Sequence, residues 1–335
     1  MTDIDRIKLQ RLRDTFSNNF RVTQMYAEYL ERYPEIITAE MIDTLCEDGS
    51  ITREEAIVAL LSEIFALDFE RGEDRTIIRD YLTPSVRILD AKKYTDNPYY
   101  KNIRLDNVKD GGWEIRNESY APYRGVICHD MQIFDDYREL PPLGFFTEEF
   151  HFPAILEGGN EWMTLTPVDL DTCEEAIDQA HGRVVTFGLG LGYYAYMASE
   201  KAEVESVTVV ELSPDVIRLF ETHILPQMPN GHKIKIVNMD AFQYAHEVMP
   251  EEKFDLAFVD TWRDASDGAP MYLRMKELEH LSPNTKFTYW IENFLISRLR
   301  AERYCDLTDK IDSGEGDFES FEKITAYIKN ILTKE

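Results

Sequence analysis

Three closely spaced glycines follow an apolar segment in the second half of the chain. Gly188, Gly190 and Gly192 come directly after RVVTF at 183–187 and form the pattern GxGxG. Because glycine has no Cβ atom, such a turn takes unusual dihedral angles and lets a ligand touch the backbone. Gly190, Gly192 and Ala195 also satisfy GxGxxA, a spacing typical of dinucleotide-binding turns. The spacing therefore predicts a backbone that passes close to a bound nucleoside.

Three acidic residues lie where the next three apolar segments end. Glu211 is the second-last residue of SVTVVEL, Asp240 precedes Ala241 shortly after KIKIVN, and Asp260 ends FDLAFVD. A carboxylate in the first position can accept hydrogen bonds from both hydroxyls of a ribose. A carboxylate in the second position is suited to the exocyclic amine of adenine. Each acid alone is an ordinary helix cap, but acids at successive strand ends predict one crevice around an adenosine.

The segments that must position these residues alternate between strand and helix from about residue 165. The strands are near-continuous apolar runs, and Ser213 with Pro214 marks the start of a helix between two of them. Apolar strands joined by helices are typical of a parallel sheet covered on both faces, which binds ligands beyond the carboxyl ends of its strands. For residues 161–335 we predict an α/β fold, a Rossmann-like doubly wound and mostly parallel sheet.

Two smaller domains are predicted before this sheet. Residues 1–100 are predicted to be a helical N-terminal domain, with Thr52 and Glu55 at capping-box spacing. Apolar residues recur there at helical spacing, namely Ile4, Ile7, Phe16, Phe20, Tyr26 and Leu30. Residues 101–160 are predicted to be a small β-containing connector, with a hairpin around the turn DGG. The segment WMTLTP lies just before the sheet domain, where it could supply part of the acceptor site.

The amino-acid composition indicates which class of molecule the chain binds. The 335 residues include 63 acidic and 36 basic ones, which gives a net charge of −27. A surface this negative repels the phosphates of DNA and RNA at long range. The hydrophobic fraction of 44% is sufficient for a packed core. A small molecule is therefore the predicted substrate, and nucleic acid is disfavoured.

Cysteine usage and the N-terminus bear on the compartment and on metal binding. The four cysteines form no CxxC pair, which disfavours both a disulfide framework and a zinc site. The N-terminal segment MTDIDRIKLQRLRDTF is charged, and no apolar run reaches the roughly 20 residues that span a bilayer. His129, Asp130 and His151 lack the HxH or HxxxH spacing of metal ligands. We therefore predict a cytoplasmic protein without a membrane span and without a metal site.

Residues 183–262 resemble the S-adenosylmethionine-binding half of a class I methyltransferase, and are most similar to its spermidine-synthase-like branch. The similar segments are VVTFGLGLGYY, VTVVELSPDVIRLF, NMDAFQY and FDLAFVDTW. The resemblance implies S-adenosyl-L-methionine as cofactor, with Asp260 facing the reactive centre. The cofactor-binding residues that it implies are Gly188, Gly190, Gly192, Glu211, Leu212, Asp240 and Ala241.

The chain also departs from the pattern of this family. Thr186 stands where many class I methyltransferases carry an acid. Arg263 stands where spermidine synthases carry a second aspartate, and Asp264 follows it. Because a guanidinium would repel a polyamine, this difference favours methyl transfer over aminopropyl transfer. After Glu292 the sequence predicts mainly helix, where the family usually has two antiparallel strands.

Methyl transfer from a sulfonium mainly requires that the nucleophile be positioned. A nearby base assists when the nucleophile is protonated, so Asp260 and Asp264 are the candidate catalytic residues. Arg263 is suited to hold a substrate carboxylate or, alternatively, to form a surface ion pair. A binding protein without transfer activity, an aminopropyltransferase and an NAD-linked oxidoreductase stay open as alternatives. The role of the N-terminal helices also stays open between substrate recognition, a homodimer contact and a partner protein.

Overall fold

A computed structural model describes residues 1–105, 108–316 and 318–331. Its helices are α1 Asp3–Arg32, α2 Ala39–Leu45, α3 Arg53–Ile64, α4 Gly72–Ile77, α5 Thr83–Ser85, α6 Ala91–Thr95, α7 Pro98–Asn102, α8 Pro167–Gln179, α9 Tyr193–Glu200, α10 Pro214–Leu219, α11 Ala241–Glu247, α12 Ala265–Leu278, α13 Glu292–Ser313 and α14 Phe321–Lys329. Its strands are β1 Val86–Leu89, β2 Val108–Asp110, β3 Trp113–Tyr120, β4 Gly125–Ile127, β5 Gln132–Ile133, β6 Glu139–Leu140, β7 Leu143–Phe146, β8 Phe150–Glu157, β9 Asn160–Thr164, β10 Gly182–Phe187, β11 Val204–Glu211, β12 Ile234–Asn238, β13 Leu256–Val259 and β14 Lys286–Tyr289.

The chain forms two compact units that are not continuous in sequence. The first unit comprises residues 1–89, 120–149 and 293–335, and the second comprises 90–119 and 150–292. The three consecutive domains inferred from the sequence, with boundaries near residues 100 and 160, stay a prediction.

The second unit contains a sheet of five parallel strands in the order β12-β11-β10-β13-β14. Numbered along the chain from β10, this order is 3-2-1-4-5. The predicted alternation of apolar strands and helices is confirmed, and all four residues of β13 are buried. Ser213 caps α10 by accepting a hydrogen bond from the Val216 amide at 3.3 Å, with Pro214 in the first turn. The chain is therefore a mixed α/β protein with a five-stranded, all-parallel sheet.

A second sheet in this unit has four strands in the order β2-β3-β8-β9. The hairpin predicted around DGG is confirmed, since β2 and β3 pair antiparallel with Asp110 opposite Trp113. Strand β9 carries Met163 and Thr164 toward α8. At the start of α8, Thr166 and Asp169 form a capping box in which the Asp169 carboxylate accepts hydrogen bonds from both the amide and the hydroxyl of Thr166. This capping box fixes the position of the Asp169 carboxylate.

The first unit is built mainly from the N-terminal helices. The predicted capping box of Thr52 and Glu55 is confirmed at the start of α3. Among the apolar residues that recur at helical spacing in α1, Ile4, Ile7 and Phe20 are 66%, 56% and 40% exposed. The N-terminal region is also not wholly helical, because β1 pairs with β7 in a three-stranded sheet that β4 completes.

The C-terminal region is helical, as predicted after Glu292. Helix α13 begins there, and the Asp130 carboxylate accepts hydrogen bonds from the backbone amides of Asn293 at 2.9 Å and Phe294 at 3.0 Å. The predicted closing helix is present as α14, and its expected continuation at 332–334 lies outside the described residues. Across the described ranges, every helix is too short or too polar to cross a bilayer.

Candidate functional site

A cavity of about 650 Å³ opens at the carboxyl ends of β10, β11, β12 and β13. Its volume lies within the range typical of small-molecule sites. Of the nine residues predicted for the site, the seven that line this cavity are Gly188, Gly190, Glu211, Leu212, Asp240, Ala241 and Asp260. The expected convergence of successive strand ends is therefore present in the structure. The other two predicted residues, Gly192 and Asp264, do not line the cavity.

Gly188 packs the glycine turn against the neighbouring strand. Its φ is +98°, a backbone conformation that side chains other than glycine rarely adopt. A Cβ atom at this position would overlap the backbone carbonyl oxygen of Asp260. The turn therefore needs glycine in order to lie against the end of β13, and this contact brings Gly188 and Asp260 to the same wall of the cavity.

Gly192 has a structural role that the spacing alone did not indicate. It is the N-cap residue of α9 with a φ of +74°, and a Cβ atom there would overlap the ring of Phe220. Phe220 is fully buried, so the ring has little freedom to move aside. Gly192 thus permits close packing behind the turn, while the other two glycines face the cavity.

We expect Gly188→Ala to lower the free energy of unfolding by about 2–5 kcal/mol, through the left-handed backbone and the overlap with Asp260. Urea unfolding followed by circular dichroism measures this change. Gly112→Ala is the matched control, because the space around its Cβ position is open and its φ is not in the left-handed region. Equal stabilities for the two variants would contradict this account of the turn.

Glu211 ties the glycine turn to the start of α10. Its Oε2 accepts a hydrogen bond from the Leu189 amide at 3.1 Å, and its Oε1 accepts one from the Ser213 amide at 2.7 Å. The residue is 8% exposed, so these bonds hold a buried carboxylate in one orientation. A carboxylate offers about four lone-pair sites, and two therefore stay available to a ligand.

Asp240 and Leu212 form the β11–β12 side of the cavity. The Asp240 Oδ1 accepts a hydrogen bond from the Gln243 amide at 2.9 Å, which caps α11 and orients the carboxylate beside Ala241. Leu212 is 66% exposed and lines the cavity mouth. An aromatic ring placed here would cover the leucine side chain and present its polar edge to Asp240 or the neighbouring backbone.

Asp169 is a cavity residue that the sequence analysis did not predict. It lines the same cavity as Asp260, and its Oδ2 accepts hydrogen bonds from the Thr166 amide at 2.7 Å and hydroxyl at 2.9 Å. Burial raises the pKa of Asp169 to about 6. The Thr166-x-x-Asp169 capping pattern was the available signal, but it indicated only the start of a helix. Trp162, Met163 and Thr164 of the segment WMTLTP also line the cavity, and the role of this segment in an acceptor site stays a prediction.

Asp260 occupies an electrostatically unfavourable position. Burial raises its pKa well above the usual value, and the nearby carboxylates of Asp169 and Glu211 raise it further. In the described part of the chain, the Asp260 carboxylate has neither a cationic partner nor a side-chain hydrogen bond. A cation bound in the cavity would remove this penalty, because an opposite charge stabilises the ionised form.

A small recess of about 30 Å³ adjoins the main cavity and shares Asp169 and Asp260 with it. Cys173 and Tyr194 also line the recess. The Tyr194 hydroxyl is buried and has no hydrogen-bond partner among the described residues. Burial raises the pKa of the Cys173 thiol, so the thiol is neutral and unreactive. The recess has room for about one water molecule, with polar groups to bind it.

The cavity lining is strongly acidic. Its six acidic residues are Glu161, Asp169, Glu211, Asp240, Asp260 and Asp267. Arg263 is the single Lys or Arg among the described residues that line it. Walls with this charge concentrate cations and repel anions, except in the immediate neighbourhood of Arg263.

Asp264 caps a helix and is turned away from the cavity. Its Oδ1 accepts hydrogen bonds from both the amide and the hydroxyl of Ser266 at 2.6 Å, which begins α12. These bonds lower the pKa of Asp264, so the side chain is ionised and engaged. Its predicted role in catalysis therefore has no geometric support, whereas Asp260, four residues earlier, faces the cavity.

His129, Asp130 and His151 were considered from the sequence as metal ligands. Asp130 instead caps α13, and the His129 Nδ1 accepts a hydrogen bond from the Asp130 amide at 2.7 Å. Over the described ranges, no group of three or more His, Cys, Asp or Glu side chains is arranged to hold a metal ion.

Comparison with known proteins does not identify a family. Neither a scan against profiles of protein families nor a search of curated protein sequences finds a match for this chain. The function is therefore inferred from the geometry and chemistry of the cavity.

Proposed function

We propose that this chain is an S-adenosylmethionine-dependent methyltransferase that acts on a small-molecule acceptor. The observation that carries the proposal is the convergence of Gly188, Glu211, Asp240 and Asp260 on one cavity at four parallel strand ends. The strand order 3-2-1-4-5 supports a Rossmann-like arrangement of the sheet. The cavity also provides what an adenosine sulfonium requires, namely acceptors for its hydroxyls and amine and negative charge for its cation.

Each part of the nucleoside has a partner in this arrangement. Glu211, already oriented by the Leu189 and Ser213 amides, is placed to accept hydrogen bonds from the ribose hydroxyls. Asp240 and Ala241, at the start of α11, are placed to bind the polar edge of adenine. Gly188 and Gly190 line the cavity where the sugar and the amino acid tail would lie. The lining therefore offers a partner for each part of the nucleoside.

The bound cofactor would supply a methyl group already activated by a positive sulfur. The residues of the chain then have to orient the acceptor, exclude water and accept a proton. Asp260 faces the cavity beside Gly188, and its raised pKa makes it a stronger base than an ordinary carboxylate. Trp262 and Trp290 form the cavity wall near it and exclude water from the acceptor.

Three alternatives retain support from particular observations. The six acidic residues of the lining would also suit a polyamine and aminopropyl transfer, although Arg263 opposes this interpretation. The GxGxxA spacing together with Glu211 would also suit the ribose of NAD. A nucleoside-binding protein without transfer activity would share the whole geometry.

Isothermal titration calorimetry with four ligands separates these functions. We expect S-adenosylmethionine and S-adenosylhomocysteine to bind with a Kd on the order of micromolar, and NADH not to bind. NADH binding without either sulfur nucleoside would contradict the proposal. Preference for decarboxylated S-adenosylmethionine, with transfer to putrescine, would favour the aminopropyltransferase. Binding without transfer to any member of an acceptor panel would indicate a binding protein.

A further inference from the structure

Three consecutive residues after Asp260 present hydrogen-bond donors that have no partner. The Thr261 hydroxyl and the Trp262 Nε1 are buried, and neither has a partner among the described residues. Trp262 is 6% exposed, so its indole N–H cannot rely on solvent. All three residues, Thr261, Trp262 and Arg263, line the 650 Å³ cavity. Buried donors are almost always paired in folded proteins, and the two unpaired donors of Thr261 and Trp262 therefore indicate a ligand.

The chemistry of these donors specifies what the ligand carries. An indole N–H only donates, so its partner must be an acceptor atom. The guanidinium of Arg263 is exposed, and its side chain forms no ion pair within the described ranges. A guanidinium binds a carboxylate through two parallel hydrogen bonds. Because six acidic residues repel anions elsewhere in the cavity, a carboxylate is favoured only beside Arg263.

The strand order separates this donor set from the residues assigned to the nucleoside. Glu211 ends β11 and Asp240 follows β12, on one side of β10. Thr261, Trp262 and Arg263 follow β13, on the other side of β10. Asp260 precedes these three residues directly and adjoins the glycine turn. Groups beyond Asp260 on the β13 side therefore face the acceptor and not the adenosine.

We propose that Thr261, Trp262 and Arg263 form a carboxylate subsite, and that the acceptor is a small carboxylic acid. The statement that the ligand of this subsite is the methyl acceptor rests on the proposed function. The carboxylate subsite itself can be tested independently of that function. The ring of Trp262 is stacked on Tyr289, with the ring centroids 6.4 Å apart, which fixes the direction of the indole N–H. The subsite therefore combines a fixed donor with an exposed guanidinium that lines the same cavity.

Benzoate and benzamide are matched probes, because they share a ring that the cavity can cover and differ in charge. We measure their Kd by ligand-observed NMR, with and without saturating S-adenosylhomocysteine. In the wild-type chain, benzoate is expected to bind about tenfold more tightly than benzamide. Arg263→Gln is expected to bring the two Kd values to within about twofold, and Trp262→Phe to weaken benzoate about three- to tenfold.

Arg11→Gln is the control for net charge, since Arg11 lies exposed on α1 in the first unit. Circular dichroism verifies that each variant is folded, and Trp262→Phe retains an aromatic ring against Tyr289. A preference for benzoate that survives Arg263→Gln, or no preference in the wild-type chain, would overturn the subsite. Because the probes are also measured without the nucleoside, failure of S-adenosylhomocysteine to bind would count against the proposed function alone.

A second carboxylate could compete for these donors, namely that of the cofactor's own amino acid tail. S-adenosylhomocysteine carries this carboxylate and 5′-methylthioadenosine lacks it. If the subsite serves the acceptor, Arg263→Gln changes the Kd of both nucleosides by less than about twofold. A selective loss of S-adenosylhomocysteine affinity would assign Arg263 to the cofactor tail and overturn the proposal.

Discussion

Asp260→Asn is expected to lower methyl transfer by about 10²–10³-fold, the order of effect of removing a positioned base. It is also expected to lower the preference for S-adenosylmethionine over S-adenosylhomocysteine by about tenfold, because the two ligands differ by the positive charge on sulfur. In contrast, the ligand-free variant should be more stable than the wild-type chain. We expect its free energy of unfolding at pH 8 to rise by about 1–3 kcal/mol, since an unpaired buried charge is removed.

The stabilisation expected for Asp260→Asn depends on pH, and the direction of this dependence follows from the raised pKa of Asp260. Burial and neighbouring carboxylates raise the pKa of Asp260 in the folded chain, while the unfolded value is near 3.8. Between pH 3.8 and the folded pKa the folded state therefore binds more protons than the unfolded state, and its stability falls as pH rises across that interval. Asp169, with a pKa of about 6, adds a loss of stability between about pH 4 and pH 6. The stabilisation by Asp260→Asn should accordingly vanish near pH 4.

Thermal and urea unfolding at pH 4 and pH 8, together with binding of both nucleosides, measure these effects. Asp178→Asn is a suitable control because Asp178 lies exposed on α8, outside the cavity lining. A variant that is less stable than wild type at pH 8 would mean that Asp260 has a stabilising partner. Unchanged selectivity between the sulfonium and the thioether would mean that Asp260 is remote from the reactive centre.

The convergence of the strand ends could be predicted from sequence because it follows from the topology of a parallel sheet. Once β10, β11, β12 and β13 are recognised as parallel, their carboxyl ends must share one edge. Local capping patterns were equally informative, as at Ser213 in α10. These features depend on short stretches of chain and on a general rule of packing.

The remaining features depend on contacts between residues far apart in sequence. Asp169 precedes Asp260 by about ninety residues, and only the folded sheet brings both carboxylates to one cavity. Strand β1 lies in a region with helical spacing and becomes a strand because β7 pairs with it. Asp264 has the same type of side chain as Asp260, but its carboxylate caps the first turn of α12. A sequence pattern cannot distinguish these outcomes, because tertiary contacts decide them.

Glu211→Gln is expected to weaken the binding of adenosine by about 10²-fold. The charged carboxylate would receive two hydrogen bonds from the ribose, and bonds to a charged group contribute about 1.5–3 kcal/mol each. The glutamine amide also places an NH₂ group against the Leu189 or Ser213 amide, which disturbs the glycine turn. Calorimetric titration with adenosine measures the loss, and Glu205→Gln, exposed on the same strand, is the matched control.

A second ligand separates the role of Glu211 in binding from its role in supporting the turn. 2′,3′-Dideoxyadenosine lacks both hydroxyls, so its Kd reports only the turn and the adenine contacts. In the wild-type chain, adenosine should bind about 10²-fold more tightly than the dideoxy nucleoside, and Glu211→Gln should remove most of this difference. If the variant weakens both nucleosides equally, Glu211 supports the turn without contacting the ribose. That result would remove the residue that anchors the nucleoside, and the adenosine assignment of the whole cavity would fail with it.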